Sequence, residues 1–171
     1  MLIELIIYSR GGQGGVTAAR FVGTAAMLQG FFAQTIPQFG PERRGARVYT
    51  YLRISDKQIR KRSQIKNPNC IALFDKKIEI KDGTNIAIVN SREPLKLAEK
   101  TFYVDATSIA EKYGLINAGW PILSAPMSGA ITRAIGIETS YLIEAIKIEL
   151  GEKAEKSCLA AKEAHEVVNW I

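Results

Sequence analysis

Leu2-Ile3-Glu4-Leu5-Ile6-Ile7-Tyr8-Ser9-Arg10-Gly11-Gly12-Gln13-Gly14-Gly15-Val16-Thr17-Ala18-Ala19 is the stretch on which the fold turns. Residues 2–8 form a short apolar run rich in Ile and Leu, ended by Ser9, Arg10 and glycines. That is the pattern of a buried first strand in an α/β sheet. After the glycines, Val16, Ala19, Val22, Gly23, Ala26 and Met27 recur at helical spacing as far as Gln29, and Gly30 stands where a helix cap belongs. The order is strand, glycine loop, helix.

Working outward, residues 31–37 read as a second strand. Residues 47–54 alternate charged or hydroxyl side chains with Val48, Tyr49, Tyr51, Leu52 and Ile54, a half-buried strand pattern. Residues 70–74, 85–89 and 102–104 are further short apolar strands. Helices are expected over 107–113, ended by Gly114, and over 122–135, 139–150 and 153–168, with breaks at Gly136 and Gly151. No internal repeat or low-complexity linker interrupts the chain, so residues 1–171 read as one domain. Strands interleaved with helices, then helices alone, predict a three-layer α/β fold with a largely parallel sheet and a helical C-terminal part.

A chain of 171 residues with 47% hydrophobic and 23% charged residues has an ordinary globular composition, which disfavours disorder and fibrous repeats. At this length roughly 70% of the unfolded chain's surface is buried on folding. The formal charge is +6, and it is not spread evenly. Residues 41–66 hold nine basic side chains (Arg43, Arg44, Arg47, Arg53, Lys57, Arg60, Lys61, Arg62, Lys66) against Glu42 and Asp56, a local +7 that leaves −1 for the rest. Such a segment points to a local anionic partner rather than to nucleic acid wrapped along the whole protein. No apolar run approaches a membrane span and no signal h-region is apparent, so a cytoplasmic protein is expected. With only Cys70 and Cys158, the chain cannot assemble an iron–sulfur or zinc ligand set by itself. His165, the single histidine, reads as a solvated residue of a terminal helix rather than part of a hydrolase triad.

A glycine-rich turn from a first strand into a helix offers unpaired N–H groups and the positive end of a helix dipole to an anion. Two familiar versions fail on the residues. A Walker loop needs Gly-Lys-Ser/Thr, and the chain has Gly15-Val16-Thr17. The dinucleotide fingerprint fits at Gly12 and Gly14 but meets Thr17 at its third glycine, and no Asp or Glu ends the second strand. Gln13, with no apolar role, is a candidate to hydrogen-bond a ligand or a neighbouring chain, and Thr17 reads as packing. In the second loop Arg43 and Arg44 follow Gly40-Pro41 and precede Gly45, which confines two guanidinium groups suited to phosphate or carboxylate.

Together, Arg10-Gly11-Gly12-Gln13-Gly14-Gly15-Val16-Thr17-Ala18-Ala19, Phe39-Gly40-Pro41-Glu42-Arg43-Arg44-Gly45-Ala46, Ile59-Arg60 and Arg62-Ser63-Gln64 resemble the gamma subunit of the thiamine-dependent 2-oxoacid:ferredoxin oxidoreductases, most of all the pyruvate and branched-chain members. The later Ala125-Pro126-Met127-Ser128-Gly129-Ala130 segment falls where that family has a similar motif. The chain departs from the pattern at Gly15, expected to loosen the loop, at Arg47 in place of a proline, and at Leu123-Ser124-Ala125-Pro126, to which no polar role is carried over.

The resemblance implies a Rossmann-like domain in an enzyme that oxidatively decarboxylates a 2-oxoacid with coenzyme A and oxidised ferredoxin, giving acyl-CoA, carbon dioxide and reduced ferredoxin. It implies that thiamine diphosphate and iron–sulfur clusters reside on alpha, beta and ferredoxin-like delta partners, with coenzyme A the co-substrate associated with this chain. The wording of residues 41–44 leans toward pyruvate. On this reading Gly12, Gln13 and Gly14 approach the cofactor or partner subunits by backbone, Arg43 and Arg44 neutralise phosphate or buttress a subunit contact, and Arg60, Lys61 and Arg62 meet an acidic neighbour or solvent. No catalytic or metal-binding residue is expected on this chain. A homo-oligomer of the isolated chain is compatible with the sequence. The competing readings are a stand-alone nucleotide- or RNA-binding protein, with Tyr49 and Tyr51 as stacking rings, and an NAD-dependent reductase.

Overall fold

The computed structural model describes residues 1–38, 45–81 and 83–171. Its first strand, β1 (Leu2–Arg10), runs near the centre of a seven-stranded sheet. Leu5, Ile6, Ile7 and Tyr8 are each at most 4% exposed. Both faces of β1 are therefore covered, which is why the run shows no polar alternation. The chain turns through the glycines into α1 (Gly15–Leu28). That helix ends with the Phe31 N–H on the Ala26 carbonyl and the Gly30 N–H on the Met27 carbonyl, both at 3.0 Å. This pair of bonds requires a left-handed residue, and Gly30 supplies it at φ 101°.

β2 (Phe32–Gln38) and β3 (Arg47–Ser55) come next. Residues 39–46 are too few for a crossover to a parallel neighbour, so the two strands pair antiparallel, with Phe32 opposite Ser55 and Gln38 opposite Tyr49. β3 also lies antiparallel to β1, Leu2 opposite Ser55 and Arg10 opposite Arg47. It is thus inserted between β1 and β2. β4 (Cys70–Leu73), β5 (Ile86–Asn90) and β6 (Lys100–Val104) continue the sheet on the other side of β1, each parallel to its neighbour. Helix α2 (Ala106–Lys112) is capped by the Asp105 carboxylate, which accepts the Ser108 N–H at 3.0 Å. A small hairpin, β7 (Ile116–Asn117) and β8 (Trp120–Pro121), turns on Ala118 and Gly119, both at positive φ. The chain ends in α3 (Ser124–Ile135), α4 (Thr139–Leu150), α5 (Glu155–Val167) and β9 (Asn169–Trp170), which pairs antiparallel with β6. The expected α/β class, the parallel centre of the sheet and the helical C-terminal part are all present, and antiparallel pairing is confined to the flanks.

Among the described residues all five α-helices pack on one face of the sheet, sharing a core with Leu5, Ile7, Leu52, Ile54, Ala72 and Ile88. The opposite layer is irregular. There the connections between strands place Ile65 and Ile78, with Ile80, Leu95 and Leu97 partly buried, over Ile6, Tyr8, Ile71, Leu73 and Val89. The third expected layer is therefore built of loops. Tyr49 and Tyr51 belong to this face, and the Tyr8 and Tyr49 rings meet edge to face at 5.3 Å, so these tyrosines serve sheet packing rather than base stacking.

Local differences from the sequence reading have plain causes. α3 starts at Ser124 rather than 122, because the Ile122 N–H bonds the Leu115 carbonyl and Leu123 serves as cap. Pro126 is tolerated in its first turn, where an N–H would have no helical partner. α5 starts at Glu155, after a single 3-10 turn at Gly151–Lys153. His165 is not a solvated residue. It is half-buried where α5 crosses α3, with Nδ1 3.3 Å from Thr132 Oγ1. The crossing is close: a β-carbon on Gly129 would overlap the Ala161 carbonyl oxygen and lie 3.0 Å from the His165 nitrogen. No helix among the described residues is long and apolar enough to cross a membrane.

Candidate functional site

Gly11, Gly12, Gln13 and Gly14 leave the carboxyl end of β1, the edge at which open α/β sheets take their ligands. The turn is locked from within. The Gln13 N–H donates to the Arg10 carbonyl at 3.1 Å, and the Gln13 side-chain oxygen accepts the Arg10 N–H at 2.8 Å. Gln13 is thus first a turn-forming residue, and its side-chain amide has no acceptor among the described residues. Gly12 and Gly14 both stand at φ 89°, a conformation that L side chains rarely adopt.

Two other segments are tied to this turn. The Gly11 N–H donates to the Ala46 carbonyl at 2.8 Å and the Gly45 N–H to the Gly11 carbonyl at 3.2 Å, so the β1–β3 ladder continues beyond the strands. Arg10 donates from Nε to Asp75 at 2.6 Å and from Nη1 to the Gly45 carbonyl at 3.2 Å. Partial burial works against ionisation of Asp75, but its hydrogen bonds with Arg10 and the Lys77 amide hold the carboxyl below its ordinary value. Arg10 is thereby committed to an ion pair, whereas Arg47, opposite it in register, is exposed.

The third partner is the start of α3. The Leu123 N–H bonds the Gln13 carbonyl at 2.9 Å, and Gly14 lies directly against Ser124. The first residues of α1 and α3 therefore meet at one junction. Gly14 and Leu123 cap their helices without a side-chain bond, and neither first turn holds an acidic residue. The N–H groups of Gly15, Val16 and Thr17, and those of Ser124 and Ala125, have no acceptor among the described residues. Ser124 is 6% exposed, and its hydroxyl is likewise unpartnered there. Two uncompensated helix dipoles and several free donors favour an anion at this junction. Beneath it the buried Ser9 hydroxyl has no partner among the described residues, and Gly15 packs so tightly on it that a β-carbon would overlap its oxygen. Gly15 does not loosen the loop; it lets α1 approach β1.

Gly12, Gln13 and Gly14 thus share one turn, while Arg43 and Arg44 lie outside the described residues, in the stretch preceding Gly45. Ser124 was missed by the sequence reading, because only long-range packing brings it to Gly14. The basic segment does not form one band. Arg53 is 1% exposed and internal, and residues 57–66 lie on the loop-covered face, away from the helix junction. The dinucleotide reading loses further ground, since β3 displaces β2 by a strand from β1, roughly 4.8 Å beyond the neighbouring position where a ribose-binding acid would stand. Cys70 in β4 and Cys158 in α5 are both buried and unpaired, and burial raises both thiols.

Comparison with known proteins adds an independent line. The family model described as pyruvate ferredoxin/flavodoxin oxidoreductase matches residues 4–167. The common gamma subunit of pyruvate/ketoisovalerate oxidoreductases of Pyrococcus furiosus is 38% identical, with 96% of each chain covered. Pyruvate synthase subunit PorC of Methanocaldococcus jannaschii is 36% identical over 94% of this chain and 95% of its own. Among solved structures, the pyruvate oxidoreductase subunit PORC of Thermotoga maritima superimposes with a TM-score of 0.80 at 24% identity, covering 99% of this chain and 98% of that one. A 2-oxoglutarate:ferredoxin oxidoreductase from Magnetococcus marinus, solved with 2-oxoglutarate, coenzyme A and succinyl-CoA bound, matches with a TM-score of 0.67 at 16% identity, covering 96% of this chain and 30% of that one.

Proposed function

Because the chain belongs to the pyruvate ferredoxin/flavodoxin oxidoreductase family and is a subunit of a 2-oxoacid:ferredoxin oxidoreductase complex, we propose that its part in that complex is to hold the phosphates of coenzyme A at the Gly14–Ser124 junction. The observation that carries this reading is the meeting of two helix N-termini with free amides and no acidic residue. Coenzyme A bears a diphosphate and a 3′-phosphate, and backbone N–H groups at a helix start suit such oxygens without a lysine. Gly12, Gln13 and Gly14 present the turn, and the exposed Arg47 beside it adds positive charge, as do Arg43 and Arg44 on this reading.

The chain's own role is binding and orientation, with no catalytic or metal-ligating side chain. Thiamine diphosphate and the iron–sulfur clusters are assigned to the alpha, beta and delta partners, since a cluster bound by four thiolates exceeds the two cysteines present here. Pyruvate is the proposed 2-oxoacid, in keeping with the named relatives. The test is steady-state kinetics of the assembled enzyme carrying Arg43→Glu and Arg44→Glu. We expect the KM for coenzyme A to rise about tenfold or more, as loss of charge-assisted phosphate contacts dictates, with the KM for the 2-oxoacid unchanged. An unchanged coenzyme A constant in an intact assembly removes these arginines from the site.

A further inference from the structure

We propose that residues 57–66, with Phe32 at their root, are the surface by which this chain docks on an acidic face of a companion subunit. This rests on membership in the oxidoreductase complex but not on the coenzyme A site, which lies on the helix-covered side of the sheet. Lys57, Arg60, Lys61, Arg62 and Lys66 are all exposed. Among the described residues only Lys61 of these comes within ion-pair distance of a carboxylate, Glu4 at 3.9 Å. So many unneutralised like charges in ten residues repel one another. An acidic partner removes that repulsion.

The strap is fixed in place, unlike a merely solvated loop. Arg53 reaches it from beneath, donating to the Ser63 carbonyl at 2.7 Å, to Gln34 at 3.0 Å and to Glu4 at 2.9 Å. Gln34 donates to the Lys61 carbonyl at 2.7 Å and Gln64 to Gln38 at 3.1 Å, while Ile65 is 4% exposed in the core beneath. Burying a guanidinium is costly unless its donors are satisfied, and here that group holds the charged backbone in one geometry. Next to the strap's first residues, Leu2, Ser55 and Phe32 form one cross-strand row, with Leu2 and Phe32 37% and 47% exposed. An exposed aromatic beside arginines is the composition of a protein interface core. Nucleic acid fits less well, since residues 56–69 contain no aromatic side chain and Phe32 alone offers a ring, where a strand of bases needs a series of them.

The experiment titrates the full-length chain onto the alpha, beta and delta companions at rising ionic strength. Arg60→Glu with Arg62→Glu should weaken association at least tenfold near 0.1 M salt and flatten its salt dependence. Arg60→Lys with Arg62→Lys should restore both, and Phe32→Ser should weaken association with the salt dependence intact. At saturating subunit the charge-reversed enzyme should keep its KM for coenzyme A, so this docking surface and the cofactor site fail separately. Unchanged affinity and salt dependence on charge reversal would overturn the proposal. So would a reversal that alters only binding of a single-stranded oligonucleotide, or one that raises the coenzyme A constant at full occupancy.

Discussion

Gly14 and Ser124 stand so close that a β-carbon on the glycine would lie 2.9 Å from the serine's own β-carbon. The contact joins the first residue before α1 to the first residue of α3, and it comes on top of a backbone at φ 89°. Gly14→Ala therefore meets two penalties, left-handed strain and overlap, each on the order of 1–2 kcal/mol. The expected loss is roughly 2–4 kcal/mol, a drop in Tm of about 5–15 °C for a domain of this size. Combining it with Ser124→Gly should recover the overlap but not the strain. A double variant no more stable than Gly14→Ala alone would contradict this partition.

The Arg10–Asp75 pair fixes the carboxyl end of β1 and should show in the acid limb of stability. Asp75 has its folded value depressed below the ordinary 3.8. Its contribution is therefore complete above the unfolded value and is lost as pH falls through the lower folded one. Asp75→Asn should cost about 1 kcal/mol at pH 7, because the pair is only partly buried. The difference from wild type should shrink as pH falls below the ordinary carboxylate range. Thermal melts at pH 7, 4 and 2 check the sign: a gap that widens in acid would refute the assignment.

Short-range chemistry was legible in the sequence. The strand, the glycine turn, α1 and its Gly30 cap each follow from residues within a few positions of one another. The position of β3 between β1 and β2 was not, because strand order depends on which edges meet after collapse. The same holds for Ser124, whose place beside Gly14 is set by the packing of α3 on α1. The burial of Arg53, one of the nine basic side chains of residues 41–66, is not legible either, since alternation along β3 does not reveal that residues 57–66 return to cover that face. The short β9 escaped notice because its two residues are exposed and its pairing partner β6 is remote in sequence.

Gly129, at the α3–α5 crossing, contrasts with Gly30, at the end of α1. At Gly129 an added methyl meets the Ala161 backbone, which cannot move without shifting a helix. Gly129→Ala should therefore cost about 3 kcal/mol or more despite the helix propensity it gains. At Gly30 nothing lies within 4 Å, and only the positive φ resists a side chain. Gly30→Ala should cost about 1 kcal/mol, and Gly30→Asn less, because asparagine tolerates the left-handed region. Denaturant midpoints rank the three variants, and Gly129→Ala proving the mildest would overturn the close-crossing account.

Arg53 is the costliest single side chain to remove by this reasoning. Its guanidinium is 1% exposed, and each of its three partners lies on a different segment: Glu4 on β1, Gln34 on β2 and the Ser63 carbonyl on the loop between β3 and β4. Arg53→Met fills the same space but leaves the Glu4 carboxylate facing an apolar side chain. Breaking a buried pair in this way costs about 3–5 kcal/mol. The lower end applies here, since the Glu4 side chain is 20% exposed and Lys61 stands 3.9 Å away. Adding Glu4→Gln to Arg53→Met neutralises the stranded charge and should return about 1–2 kcal/mol. The m-value should stay unchanged if only stability is affected. Urea titration of the wild type, Arg53→Met and the double variant decides the matter: a double variant less stable than Arg53→Met would mean that the loss came from packing and not from the orphaned carboxylate.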